Sequence, residues 1–185
     1  TRRGASGAEA VAALSQGLAV NVRMGELETV EHTRDRGLII TVYFEQRTGS
    51  ASTSDYSPTS VKDTVQAACR IAEYTEADSC NGLADPDRLA TEFPNLDLFH
   101  PWNPSVDDAC DMALECEQTA IDHDRRIENS EGASVSSHEG HEVYATTSGF
   151  WGESRQTRHG LSCSVIGRDD SGMQRGYWFS SSRQA

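Results

Sequence analysis

Met173-Gln174-Arg175-Gly176-Tyr177-Trp178-Phe179 closes a tail, Ala133 to Ser182, in which short alternating segments follow one another with a turn signal between each pair. No helix-period run intervenes. Ala133 to His138, a Glu139-Gly140 turn, His141 to Thr147, a Ser148 to Gly152 corner and Arg158 to Gly167 lead to the Asp169-Asp170-Ser171-Gly172 turn and the closing aromatic strand. The pattern is that of an antiparallel meander.

The first half reads as a second antiparallel segment. Leu18, Val20, Val22 and Met24 alternate with Ala19, Asn21 and Arg23, and the chain turns at Gly25-Glu26 into Leu27 to Thr33. After an Arg34-Asp35-Arg36-Gly37 corner, Leu38, Ile40, Val42 and Phe44 share one face, and Gly49 to Ser54 adds a short strand. Ala8 to Leu14 carries alanines that favour helix, but Ser15-Gln16-Gly17 suits a turn between strands, and strand is the reading taken.

Two helices lie between the halves. Ser57-Pro58 pairs a capping serine with proline at the first helical position, and Val61, Val65, Ala68, Cys69 and Ala72 follow as an apolar stripe. Ser105-Val106-Asp107-Asp108 resembles a capping box ahead of Val106, Ala109, Cys110, Ala113, Ala120 and Ile121. The connector Tyr74 to Pro104 holds four of the five prolines and a short helix near Asp87 to Thr91. The expected fold class is α+β: antiparallel sheet segments from both halves of the chain, with two main helices packed on one face, over residues 1–185 as a single domain.

A net charge of −13, spread along the chain, argues for a solvated surface and against a phosphate backbone as partner, so no nucleic acid is expected. The richest apolar run, Leu38 to Phe44, has strand length, and no membrane span is expected. Cys69, Cys80, Cys110, Cys116 and Cys163 are odd in number and lack C-x-x-C spacing, which reads as reduced thiols and a cytoplasmic location. The chain begins at Thr1 without methionine, which suggests part of something longer.

Several residues invite chemical readings. His138 and His141 flank the expected Glu139-Gly140 turn and would face each other about 5 Å apart, where Glu142 or His123 could join them on a divalent metal. Exposed turn histidines are the simpler account. His159 and Cys163 share a strand face, but four residues of strand separate them by about 13 Å, too far for a nucleophile and its base, so Cys163 is assigned to the core. Ser130 is explained by the turn at Gly132, and Asp107, Asp108 and Asp111 by the positive end of a helix. Adjacent aromatics at Tyr177-Trp178-Phe179 must point to opposite faces, which leaves Trp178, and likewise Trp102 of His100-Pro101-Trp102, as candidates for partner or peptide contact. Arg158 and Arg175 would anchor carboxylates.

Arg23-Met24-Gly25-Glu26-Leu27-Glu28-Thr29-Val30-Glu31, Leu96 to Trp102, Asn129 to Ala133, Ser148-Gly149-Phe150 and Met173-Gln174-Arg175 occur in this order. Together they resemble the N-terminal half of the PmbA/TldE branch of the TldD/PmbA metallopeptidase family, over essentially the whole chain. Gly160 and Gly176 are small where that branch usually has a polar residue. The resemblance implies a cytosolic two-subunit peptidase that processes or degrades peptides, with zinc expected in a TldD-type partner subunit, on a helix carrying His-Glu, three residues, then His. Here His138-Glu139 would need a histidine where Val143 stands, and His141-Glu142 one where Thr146 stands. The chain is therefore expected to carry no catalytic residue, metal ligand or cofactor, and to act in assembly and in forming the substrate chamber, with the C-terminal half absent. Candidate peptide or partner contacts are His100, Trp102, Arg158, His159, Arg175 and Trp178. The alternatives are a stand-alone peptide- or protein-binding module, or a metal-dependent hydrolase built on the His138 and His141 hairpin.

Overall fold

The computed structural model describes residues 4–185. Strands β1 (Gly7–Arg23), β2 (Glu26–Phe44) and β3 (Arg47–Thr53) are followed by helix α1 (Pro58–Tyr74), a 3-10 turn at Pro86–Arg88 and helix α2 (Val106–Asp122). Strands β4 (Ile127–Thr146), β5 (Trp151–Asp169) and β6 (Gly172–Ser182) complete the chain. The strands form one six-stranded sheet in the order β3-β2-β1-β4-β5-β6. Antiparallel registers run from Leu38↔Thr53 to Phe44↔Arg47 and from His159↔Ser182 to Asp169↔Gly172.

This corrects the expected α+β class. The fold is dominated by its sheet: 51% of the structure is strand, with two α-helices among the described residues, instead of separate sheet segments under two helices packed on one face. The error has a physical origin in the polar corners. Arg34-Asp35-Arg36-Gly37 and Glu139-Gly140 look like turns by composition, yet both lie inside unbroken strands, β2 and β4. Neither Gly37 nor Gly140 takes a positive φ, and the strand runs through both. The true β1–β2 turn is at Met24 and Gly25, whose φ angles of 52° and 78° give the two-residue, positive-φ geometry that matches strand twist. Ala8 to Leu14 does belong to β1, and both helix starts fall where the capping signals put them.

The chain divides into two compact units. The first comprises residues up to Leu14, Asp35–Leu96 and His141–Arg155. Its core sets Ile40 and Val42 of β2 against Ala68, Cys69 and Ala72 of α1. A Cβ at Gly49 of β3 would sit 2.2 Å from the Ala68 carbonyl oxygen, so only glycine lets the helix backbone lie this close to the strand. Glu9 accepts hydrogen bonds from the Tyr43 and Tyr144 hydroxyls, at 3.0 and 2.5 Å. Those bonds, with the carboxylate's charge and burial, push the Tyr144 phenol up to about 12.

The second unit comprises Ser15–Arg34, Asp97–Gly140 and Gln156–Ala185. Leu18, Val20 and Val22 of β1 pack with Ala133 and Val135 of β4 beneath Ala109 and Ala113 of α2. Val20, Val22 and Val135 are almost fully enclosed, and each contributes about 1.5–3 kcal/mol of apolar transfer free energy. Ala109, Ala113 and Glu117 recur every fourth residue, so the same row of α2 that supplies small side chains to the core ends in a carboxylate that is 1% exposed. Glu117 accepts from the Met24 and Gly25 backbone N–H groups at 2.9 and 2.8 Å, fastening the β1–β2 turn to the helix. Burial acts to raise its pKa, but hydrogen bonds from Ser130, Gly25 and Met24 and the charge of Arg23 outweigh it and hold the carboxyl below its ordinary value.

Replacing Glu117 by alanine removes the acceptor shared by two backbone donors of the β1–β2 turn, and an expected loss of about 1–3 kcal/mol follows, measurable by urea unfolding. Because the folded-state pKa is depressed, the carboxylate's contribution is complete above its unfolded pKa and is lost as pH falls through the folded value. The Glu117→Gln protein should therefore show a flatter decline of stability on acidification than the parent; equal slopes would contradict this role.

Candidate functional site

The segment His100-Pro101-Trp102 is stitched to β4 and β5 of the second unit by side chains. The Thr157 N–H donates to the Leu98 carbonyl at 2.9 Å, and the His100 N–H donates to Thr157 Oγ1 at 3.0 Å. Ser137 Oγ donates to the Trp102 carbonyl at 2.7 Å, and His159 Nε2 meets the His100 carbonyl at 2.9 Å. That carbonyl can only accept, which places a proton on Nε2. His159 Nδ1 lies 3.1 Å from Ser137 Oγ, and the ring stands edge-on to Trp102 at 5.4 Å.

Of the candidate contact residues, the structure therefore gathers His100, Trp102 and His159 into one cluster, with His100 and Trp102 half-buried and His159 interior. His159 is 4% exposed, and both ring nitrogens are engaged. It is in no position to activate Cys163, which packs instead against the α2 core beside Cys116. Burial first, then the neighbouring Cys116 and Glu117, push the Cys163 thiol up to about 11, and burial raises Cys116 as well, so both stay protonated at neutral pH. All five cysteines are free thiols.

The other candidates lie on β6, which carries Arg175 and Trp178, and on β5, which carries Arg158. Arg158 donates through Nε to Ser181 Oγ at 3.1 Å, and Arg175 is paired with Glu131 at 2.5 Å and with Ser164 Oγ at 3.1 Å. Both guanidinium groups thus already have partners. Trp178 is 80% exposed on one face of β6, while Tyr177 and Phe179 are 68% and 57% exposed, their rings 6.5 Å apart and nearly parallel. The odd-even placement of these rings puts Trp178 opposite the other two across the sheet. β6 is an end strand of the sheet, paired on one side by β5.

His138 and His141 belong to one unbroken strand, β4, so no turn brings them face to face. Residues three apart on a strand point to opposite sides. Among the described residues, no group of three or more His, Cys, Asp or Glu side chains is placed to hold a metal ion. Asp108 completes the α2 capping box with Ser105, as the sequence suggested, and its carboxyl is held low by the Ser105 hydroxyl and N–H. Ser130 Oγ accepts the Gly132 N–H at 2.8 Å and serves the chain's own backbone.

Sequence reasoning missed Glu139. Once β4 is continuous, Val135, Ser137 and Glu139 share a face, and Glu139 lines a groove of about 330 Å³ together with Gln16, Trp102 and Ser137. The signal was present in the alternation from Ala133 onward, but the Glu-Gly pair masked it.

Comparison with known proteins agrees with this architecture. Residues 8–72 match the PmbA/TldA metallopeptidase domain 1 and residues 99–185 the PmbA/TldA metallopeptidase central domain. The chain belongs to the PmbA/TldD metallopeptidase family, as the resemblance in its sequence implies. It is 45% identical over 184 residues to a Metalloprotease PmbA homolog of Haemophilus influenzae, an alignment that takes in 100% of this chain and 41% of that protein. A crystal structure from Bacteroides thetaiotaomicron, described as a candidate modulator of DNA gyrase, superposes on 99% of this chain and 42% of its own with a TM-score of 0.88 at 25% identity. TldE from Thermococcus kodakarensis shares the fold, with a TM-score of 0.81 over 99% of this chain and 41% of its own at 17% identity. The chain spans about two fifths of the length of each.

Replacing His159 by alanine removes the partner of the His100 carbonyl and the edge contact to Trp102. We expect about 2–3 kcal/mol lower stability and faster backbone hydrogen exchange at residues 98–102. Unchanged exchange there would show that the segment is held by other means.

Proposed function

We propose that this chain is the N-terminal part of a PmbA/TldE-type subunit in a two-subunit cytoplasmic zinc peptidase that processes or degrades peptides. It acts in assembly and in walling the substrate chamber, and the zinc is held by a TldD-type partner. The observation that carries the reading is the end strand β6, whose outer edge has no ladder partner among the described residues and whose aromatic residues Tyr177, Trp178 and Phe179 are exposed. Such an edge offers backbone N–H and C=O groups to an extended chain, and large aromatics beside it supply sequence-tolerant contact area. A peptidase for unfolded clients needs that combination.

Among the described residues no three His, Cys, Asp or Glu side chains are placed to hold the metal that the family's description names, and the chain spans about two fifths of its relatives' length. Free cysteines without metal-type spacing suit a reducing compartment. His100, Trp102 and His159 then act by fixing the chamber wall. Trp178 is the direct contact, and Arg158 and Arg175 brace β6 against its neighbours.

Mixed with a TldD-type subunit, the protein should share its elution peak in size-exclusion chromatography. The double change Tyr177→Ala and Trp178→Ala should weaken binding of an extended, unfolded peptide about tenfold or more. Elemental analysis of the resolved partners should find zinc with the TldD-type subunit. Stoichiometric zinc on this chain by itself, or no shared peak under any salt condition, would overturn the reading.

A further inference from the structure

Leu161 and Cys163 of β5 pack against the α2 core, so Arg158, at odd spacing from both or three residues from Leu161, points to the opposite side of the sheet. The β5–β6 ladder pairs His159 with Ser182, and one step beyond it Arg158 stands across from Arg183. Both arginines are exposed and line one groove of about 520 Å³ in the second unit. Like charges facing each other across a ladder destabilise it, and guanidinium groups do not shed a proton to relieve the crowding. Among the described residues neither arginine meets a carboxylate at ion-pair distance. Arg158 donates through Nε to Ser181 Oγ, and Arg183 donates through Nη1 to Gln156 Oε1 and the Thr157 carbonyl, each at 3.3 Å. Those bonds orient two planar forks and leave Nη1 and Nη2 of Arg158, with Nε and Nη2 of Arg183, unengaged. Glu139 also lines the groove, where its Oε2 accepts from Gln16, and the three charged side chains leave one positive charge in surplus.

We propose that this groove binds a carboxylate of an extended peptide, held between Arg158 and Arg183. A carboxylate presents two oxygens to forks of this shape, and its single charge matches the surplus. A phosphate dianion would bring a second negative charge up to Glu139 with nothing to offset it. The groove also has length. A second hollow shares His138, Arg158 and Ser181 with it and runs on to Phe179, whose ring is 57% exposed. Four residues of extended chain separate Arg183 from Phe179, about 13 Å, which accommodates about four residues of a peptide and exceeds a small carboxylic acid. Phe179 then meets an apolar side chain of the peptide. That the anion is a carboxylate rests on the arginines and Glu139; that it belongs to a peptide rests on this length and on the peptidase reading.

Isothermal titration of the purified protein with N-acetylated trialanyl-leucine tests this in three forms: the free acid, the C-terminal amide, and the amide with glutamate in place of the third alanine. At least one of the two acidic peptides should bind about tenfold more tightly than the neutral amide, and which one does so identifies a chain end or a side chain as the source of the carboxylate. Arg183→Gln changes an exposed side chain, so the fold is preserved, and it should abolish the preference. Arg168→Gln makes the same charge change on an exposed residue at the far end of β5 and should leave the preference intact. Inorganic phosphate should displace the bound peptide no better than acetate. Equal binding of all three peptides, binding of none, a preference that survives Arg183→Gln or is lost in Arg168→Gln, or stronger displacement by phosphate would each overturn the proposal. None of these outcomes alters co-elution with a TldD-type subunit, so the two readings fail separately.

Discussion

The bond pair from Glu117 to the Met24 and Gly25 N–H groups is the interaction on which the second unit turns. A two-residue hairpin with positive φ at both positions presents its amides in one direction, and a carboxylate one helix row away answers both. Because Glu117 continues the Ala109 and Ala113 row, the register of α2 on the sheet and the position of the β1–β2 turn are set together. Nearby Ser130 belongs to β4, so three separate stretches of chain converge on one charge. The cost of burying that charge is met only while all of them are in place, which makes the arrangement cooperative.

How legible was this in the amino acids? Capping chemistry was fully so, because a serine followed by proline, or by aspartate three residues on, acts within four residues and needs no tertiary context. The β1–β2 and β5–β6 turns were equally local. Strand continuity was not. Whether Gly37 or Gly140 ends a strand depends on the neighbouring strands of the sheet, and the composition of the corner is the same in either case. The helices were located correctly while their share of the fold was overestimated, since the strands they cover are 17 to 20 residues long in β1, β2, β4 and β5.

The site shows the same division. His-Pro-Trp was recognisable as a motif, but motif recognition says nothing of which way a ring faces. His159 proved to be an internal brace for the His100 carbonyl because Thr157 and Ser137 draw the connector down onto the sheet. Trp178 was legible, since three consecutive aromatics on a strand cannot all be buried from one side. Glu139 was hidden by the same false turn that split β4, so one misread dipeptide cost both a strand and a carboxylate.

The end strand β6 has a colloidal consequence. Two molecules that meet edge to edge along Gly172–Ser182 would each extend the other's ladder, with stacked Tyr177 and Phe179 as adhesive. A net charge of −13 opposes that encounter, and its reach shrinks from about 30 Å in dilute buffer to about 8 Å at physiological ionic strength. Salt therefore acts on this fold as a gate on self-adhesion, and the acidity of the chain doubles as a solubilising coat for a strand whose own composition invites self-pairing.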